Sequence, residues 1–408
     1  MCVRWFAVLL LSSVVSAGDW PQILGPERNG VAQAERLLDN WPSSGPQTLW
    51  EAEVGEGFAG VAALGDFIYL FHKVGREEVV ECRQAATGER VWQAGTPSDY
   101  SGGYSSDGGP RCVPLLSADR VFIFGAGGQL TCLNRTDGQR VWQRDTWKDF
   151  KAPDGYFGAG STPLLVDDTV VVNVGGRNGS AVVAFDAATG ATRWKSINDT
   201  ASYSSPVLAT VNGTRHLIVV TRMNCLALNP RTGEKRAGFA FGMRGATVNG
   251  ATPVVVGDSV FVSSSYRVGS VWARLNNDSF DAVNSGERLL ATQYATPVQK
   301  DGLLYAVDGR QDIPPASLKC IDPVAQKVLW EDSGYDYGTM IRVQDDLLFL
   351  TCGGELLRIA ANPQKLEVKA RHQVLRRTGS GYRLPALSDG RLFVRDDRTL
   401  KCLRVGEE

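Results

Sequence analysis

The chain repeats one order of apolar and polar runs. Residues 161–196 read STPLLVDDTVVVNVGGRNGSAVVAFDAATGATRWKS, and residues 112–145 read CVPLLSADRVFIFGAGGQLTCLNRTDGQRVWQRD. Residues 294–332 follow the same course. In each, a Pro opens a short apolar run, a turn with Asp or Gly follows, and a second apolar run ends at Gly. A third run, a further turn and a last run carrying Trp complete the unit. The runs are rich in Val, Leu, Ile and Phe and are bounded by Gly, Asp and Asn, which is strand and turn chemistry. Four short strands in roughly 44 residues describe one blade of a β-propeller. No long segment shows a helical period, which argues against a helical solenoid.

The units open near Gly60, at Pro114, Pro163, Pro206, Pro253 and Pro297, near residue 338, and at Pro385, which makes eight. The eighth has room for three strands before the chain reaches Glu408. The segment QTLWEAEV, with Trp50, is a Trp-bearing strand that lacks three strands before it. We expect it to pair as the outer strand of the eighth unit, because closing the ring removes open sheet edges. The plainer alternative is an ordinary strand ahead of the domain. The expected fold is therefore all-β: an eight-bladed propeller of four-stranded antiparallel blades over residues 46–408, with the ring closed by an N-terminal strand.

The Trp residues have a packing role in this scheme. A large aromatic on an outer strand can cover the next blade, burying roughly 150–250 Å². Units four, five and seven lack this Trp, so their seams should be weaker. Ala184, Cys82 and Cys132 precede the Gly of the third turn by a fixed interval, where only a small side chain fits between sheets. Cys320 recurs in the same place. These thiols are read as small hydrophobes.

Composition changes the picture in three ways. Arg4 followed by the apolar run Trp5 to Val15 and the small residues Val15-Ser16-Ala17 reads as a signal peptide over 1–17, hence an exported protein, periplasmic or extracellular. The apolar run is short for a membrane span, so no transmembrane segment is expected in the mature chain, whose residues 18–45 lead into the propeller. The formal net charge is -1, so nothing points to nucleic acid. With three His in all, a His-rich metal site is close to excluded by supply.

The runs AFDAATGATRW, QAATGERVW and NRTDGQRVW resemble the signature of the pyrroloquinoline-quinone (PQQ) repeat family. GDWPQILGPERNG resembles the opening of exported PQQ-like propellers of planctomycete-type bacteria. The resemblance implies a propeller fold and two classes of relative. One is the quinoprotein dehydrogenases, which use PQQ with calcium. The other is non-enzymatic propellers, including, more distantly, the outer-membrane assembly lipoprotein BamB. A fold cannot choose between them. The dehydrogenases carry adjacent cysteines over the quinone, and this sequence has none, nor a C-x-x-C-H haem attachment. Trp272 is a candidate stacking floor for a quinone, with packing as the alternative. The clustered glycines GAGGQ and VGGRNG lie between strands rather than opening helices, so they are read as hairpin turns. No catalytic residue and no metal site is assigned. The expectation is a non-catalytic binding or scaffold propeller with an envelope or secreted protein partner or a small ligand. A PQQ-dependent oxidoreductase is the alternative, and sugar hydrolysis or lysis a third for which no acid–base pair stands out.

Loops on a rigid scaffold concentrate binding residues. The positions just before the opening strands are Phe58, Arg111, Tyr156, Tyr203, Asn249, Tyr294, Tyr337 and Arg383. Tyr and Arg are enriched in binding hot spots. These eight are candidates for a polar-aromatic funnel at one mouth of the central channel. The alternative is that the Tyr hydroxyls cap backbone groups between blades. The Gly/Ser-rich stretch 98–111 is either a lid over that mouth or a surface loop.

Overall fold

The structure is a computed structural model and describes residues 18–377 and 382–407. The expected signal peptide therefore lies outside the described residues. Eight sheets follow one another along the chain, each built on four antiparallel strands that are consecutive except in the closing blade, the seventh carrying a fifth, parallel strand from the N-terminal segment. Blade 1 comprises Val61–Leu64, Phe67–Val74, Glu77–Gln84 and Arg90–Pro97. Blades 2 to 7 span residues 115–145, 164–196, 207–240, 254–285, 298–335 and 338–373. Two short helices, Thr146–Phe150 and Gly286–Leu289, are the only ones among the described residues. No helix there is long and apolar enough to cross a membrane.

Blade 8 is built from both ends of the chain. Ala386–Ser388, Arg391–Arg395 and Thr399–Arg404 supply three strands, and Gln47–Glu53 supplies the outer one. Trp50 lies opposite Cys402, in the register that Trp92 has with Cys82 and Trp142 with Cys132. The closing strand is thus a full equivalent of the other outer strands, as its sequence predicts.

The seams explain the glycine that follows Thr in these turns, directly in blades 1, 3 and 4 and after Asp137 in blade 2. Each turn glycine has φ near +70° and carries the next-door Trp against its Cα. A Cβ on Gly88, Gly138, Gly190 or Gly233 would stand 2.6, 2.5, 2.7 and 2.3 Å from the rings of Trp50, Trp92, Trp142 and Trp194. Both the conformation and the approach demand glycine. The indole N–H of Trp50 donates to the Ala85 carbonyl at 2.9 Å, Trp92 to Arg135 at 3.0 Å, Trp142 to Ala187 at 2.9 Å and Trp330 to Asn362 at 2.8 Å. Each Trp thereby ties its blade to the next. At the matching position blades 4, 5 and 7 carry Ala237, Val283 and Ala370.

Trp194 is the exception among the Trp seams, because its Nε1 is buried without an acceptor. Trp142→Phe should therefore destabilise the protein by about 1 kcal/mol more than Trp194→Phe, since only the first loses a made hydrogen bond. Chemical denaturation of the two variants checks this, and equal losses would contradict it.

Cys82, Cys132, Cys320 and Cys402 all sit buried opposite a Trp. Burial pushes the thiol of Cys82 to about 11, Cys320 to about 11 and Cys132 to about 12. They remain protonated thiols with little nucleophilic character, which fits packing. Trp272 is displaced onto the third strand of blade 5, beside the Phe261 ring at 6.5 Å and far from the mouth in its contacts. It is a packing residue, not a stacking floor.

The N-terminal segment does more than lead in. Trp20 bridges to Ala63 of blade 1, and the Pro21 carbonyl accepts from Leu116 of blade 2. Arg28 reaches the carbonyls of Thr162, Pro163 and Pro206 in blades 3 and 4, the last at 2.6 Å. Val31–Ala32 then pairs in parallel with Gly338–Val343 of blade 7. Glu35 returns to the backbone of Asp389 and Gly390, and Leu37 bridges to Gly406. The chain thus crosses the central channel, plugs it, and leaves to form the closing strand.

Candidate functional site

The loops that open the blades converge above this plug. Three side-chain hydroxyls stitch their ends together: Val113 N–H donates to Thr162 Oγ1 at 3.2 Å, Thr162 N–H to Ser205 Oγ at 2.9 Å, and Thr252 N–H to Thr296 Oγ1 at 2.9 Å. These are the Ser and Thr immediately before Pro163, Pro206 and Pro297, a position sequence reasoning passed over although T-P and S-P recur visibly there.

Inside the rim is a cavity of about 360 Å³. Ile23 and Leu24 of the plug form its floor, and Phe58, Tyr104, Phe157, Tyr203, Tyr294 and Tyr382 give it aromatic walls. Arg111 is the one charged side chain in the lining. Of the eight candidates, Phe58, Arg111, Tyr203 and Tyr294 meet here.

The other four are placed differently. Arg383 stands behind Phe58, its guanidinium 5.5 Å from that ring and its Nε donating to the Gly57 carbonyl at 2.8 Å. Tyr156 lies off the axis, beside a second cavity, with Arg222 over its ring at 5.4 Å. Asn249 is buried, donating from Nδ2 to the Arg222 carbonyl and accepting from Ser264 Oγ at 2.9 Å. Tyr337 is buried, and its hydroxyl accepts from the backbone N–H of Tyr294 at 2.9 Å and of Ala295 at 2.7 Å. That is the capping role between blades. Tyr203 does both jobs, since it lines the cavity while accepting from Phe157 N–H at 3.0 Å.

The segment 98–111 crosses the mouth. Tyr104 N–H donates to the Tyr156 carbonyl at 3.0 Å, and Tyr104 itself remains 73% exposed at the rim. Asp107 ties the segment down: it accepts from Gly57 N–H at 3.0 Å and pairs with Arg383 at 3.5 Å. Arg111 closes it, its guanidinium between Phe58 at 5.3 Å and Tyr100 at 5.1 Å while donating to the carbonyls of Gly109 and Asp107. Burial pulls Arg111 below the usual arginine range and pushes the Tyr203 phenol up to about 12. The cavity lining therefore combines the Arg111 guanidinium with hydroxyls, side-chain amides and aromatic rings.

Tyr104, Phe157, Gln293 and Tyr382 also line the cavity and were not singled out. Three of them flank a candidate by one residue, so the repeat register located the loops and missed the direction of the side chains. Gln293 is committed elsewhere, donating to Tyr266 Oη at 2.6 Å and accepting from Gln311 N–H at 3.0 Å.

Residues 76–332 match the family described as outer membrane protein assembly factor BamB. The curated relatives of that name include one from Burkholderia pseudomallei, 30% identical over 236 residues, which are 56% of this chain and 52% of the relative. Another, from Shewanella oneidensis, is 26% identical and is matched over 36% of each chain. The chain thus spans about half the length of these relatives or less. Among solved structures, BamB from Moraxella catarrhalis superposes with a TM-score of 0.62 at 13% identity, over 88% of this chain and 97% of that one. Quinohemoprotein alcohol dehydrogenase from Comamonas testosteroni superposes at 0.58 and 13% identity, over 97% and 82%. At such identities the two structures speak for the fold alone. With eight repeat-built blades in place and well over half its length matched, the chain belongs to the PQQ-repeat β-propeller family described as outer membrane protein assembly factor BamB.

Proposed function

We propose that this protein is an exported, non-catalytic binding propeller whose central mouth receives an apolar or aromatic group of a protein partner. The carrying observation is the aromatic-walled cavity of about 360 Å³, lined also by the N-terminal segment's Ile23 and Leu24. Pockets of this kind bind by burying apolar surface, with few polar groups fixing orientation. Arg111, the Gln311 amide and the hydroxyls of Ser105, Thr252 and the lining tyrosines are polar groups of the lining. The half-exposed rim around Tyr104 offers the larger surface that a protein would cover. The assembly-factor description of the matched family favours a protein over a small ligand.

PQQ with calcium is the second reading, and the lining does not fit it. Among the described residues no carboxylate lines the central cavity. Among the described residues no three His, Cys, Asp or Glu side chains converge as a metal site would need.

A photo-crosslinking residue at position 104 should form an adduct with an envelope protein, and one at position 324, which is 72% exposed away from the mouth, should not. Phe58→Ala combined with Tyr294→Ala should weaken that adduct by about tenfold or more, the loss expected of a buried aromatic anchor. Adducts that form equally at both positions, or that ignore the double substitution, would contradict the proposal.

A further inference from the structure

The seam between blades 4 and 5 is built unlike the Trp seams. Ala237 stands where blades 1 to 3 carry the indole. The joint is closed by Ile218, Val260, Val262 and Ala273, with the Phe239 and Phe280 rings edge to face at 5.2 Å. His216 shares this face. It belongs to the second strand of blade 4, Thr214–Val220, in which Leu217 and Val219 pack toward blade 3 and Ile218 and Val220 toward blade 5. Alternation along the strand therefore directs the imidazole into the joint with blade 5. At the matching position blades 1, 2, 3 and 6 carry Phe67, Arg120, Thr169 and Leu303, all partly exposed, whereas His216 is fully buried.

The ring is enclosed without partners. Neither Nδ1 nor Nε2 makes a hydrogen bond among the described residues, and both atoms are sealed from solvent. A neutral imidazole has one donor and one acceptor, so two polar groups are unmet. Protonation turns the acceptor into a second donor and adds a charge in the same enclosure, which costs far more than the neutral ring. Two charged side chains bear on it: Arg236 from the outer strand of blade 4 and Asp278 from the last turn of blade 5. Arg236 opposes a second cation. Asp278 favours one, but it is exposed and its pull is screened.

Burial first, and Arg236 after it, hold the imidazole below the usual histidine range. The packed seam thus refuses a proton that an opened seam accepts, so stability present at neutral pH is lost as pH falls below about 6.5. We propose that the joint between blades 4 and 5 is an acid-sensitive point in the ring, which loosens when His216 takes up a proton.

Hydrogen exchange of the full chain, read by mass spectrometry near neutral pH and in mild acid and corrected for intrinsic rates, tests this. Thr214–Val220 and Ser259–Ser264 should lose protection in acid by about tenfold or more, the size of a one-unit shift. Arg120–Phe124, in blade 2, should keep its protection. His216→Met, of similar bulk and without a titrating group, should remove the loss at blades 4 and 5. His216→Gln should do the same, and either variant decides if the other fails to fold. Equal protection of Thr214–Val220 in both conditions, a loss spread evenly over all blades, or a loss that persists without His216 overturns the proposal.

Discussion

A chain that begins at Gly55 should lose cooperative folding altogether. The deletion removes the outer strand of blade 8, and with it the six paired positions from Gln47↔Arg404 to Glu53↔Thr399. Thr399–Arg404 would become a bare edge with unpaired backbone groups, a template for aggregation. The seam to blade 1 would lose the Trp50 indole from Gly88 and its bond to the Ala85 carbonyl. The channel would lose Trp20, buried to 2%, and the whole plug. Removing a large buried aromatic costs about 3–5 kcal/mol by itself, against a total stability of roughly 5–15 kcal/mol. Thermal unfolding followed by circular dichroism should show no sharp transition for the shortened chain. A cooperative melt close to that of the full chain would mean that the N-terminus is an appendage.

The second large effect is expected at Arg28. Burial pulls its guanidinium down to about 9, so at neutral pH it is still a cation. Its charge is met by carbonyl dipoles and by Gln22 Oε1 at 2.8 Å rather than by a carboxylate. Arg28→Leu leaves the carbonyls of Thr162, Pro163 and Pro206 without that donor in a buried place. Each orphaned group costs about 1–3 kcal/mol, and relief of the buried charge returns part of it, so a net loss of about 2–4 kcal/mol is expected. Arg28→Lys should also destabilise, because a single ammonium cannot span carbonyls of two blades as a planar fork does. Denaturant titration of both variants reads the effect. A lysine variant as stable as the native chain would show that charge alone holds the plug.

Legibility of the sequence tracked the range of the contacts. The blades, the closing strand and the packing role of Trp50, Trp92 and Trp142 were readable, because each rests on short local strand patterns, the blades also on recurring Thr and Gly turns. The plug was not readable. Its hold is Arg28 on three distant carbonyls and a two-residue parallel pairing at Val31–Ala32, and neither leaves a periodic trace. At the mouth, the repeat register identified which loops converge. It could not fix where a loop side chain points, since no strand alternation governs it. Tyr337 therefore turns inward to cap Tyr294 and Ala295, and Asn249 turns toward Ser264, while their neighbours face the cavity.

Stability in this architecture resides in a ring whose two ends are one sheet. Hydrogen exchange of the native full-length protein, read by mass spectrometry on the peptide spanning Gln47–Glu53, tests that most directly. The account predicts protection equal to that of Thr399–Arg404, its pairing partner. Rapid exchange of the N-terminal peptide beside a protected C-terminal strand would contradict it.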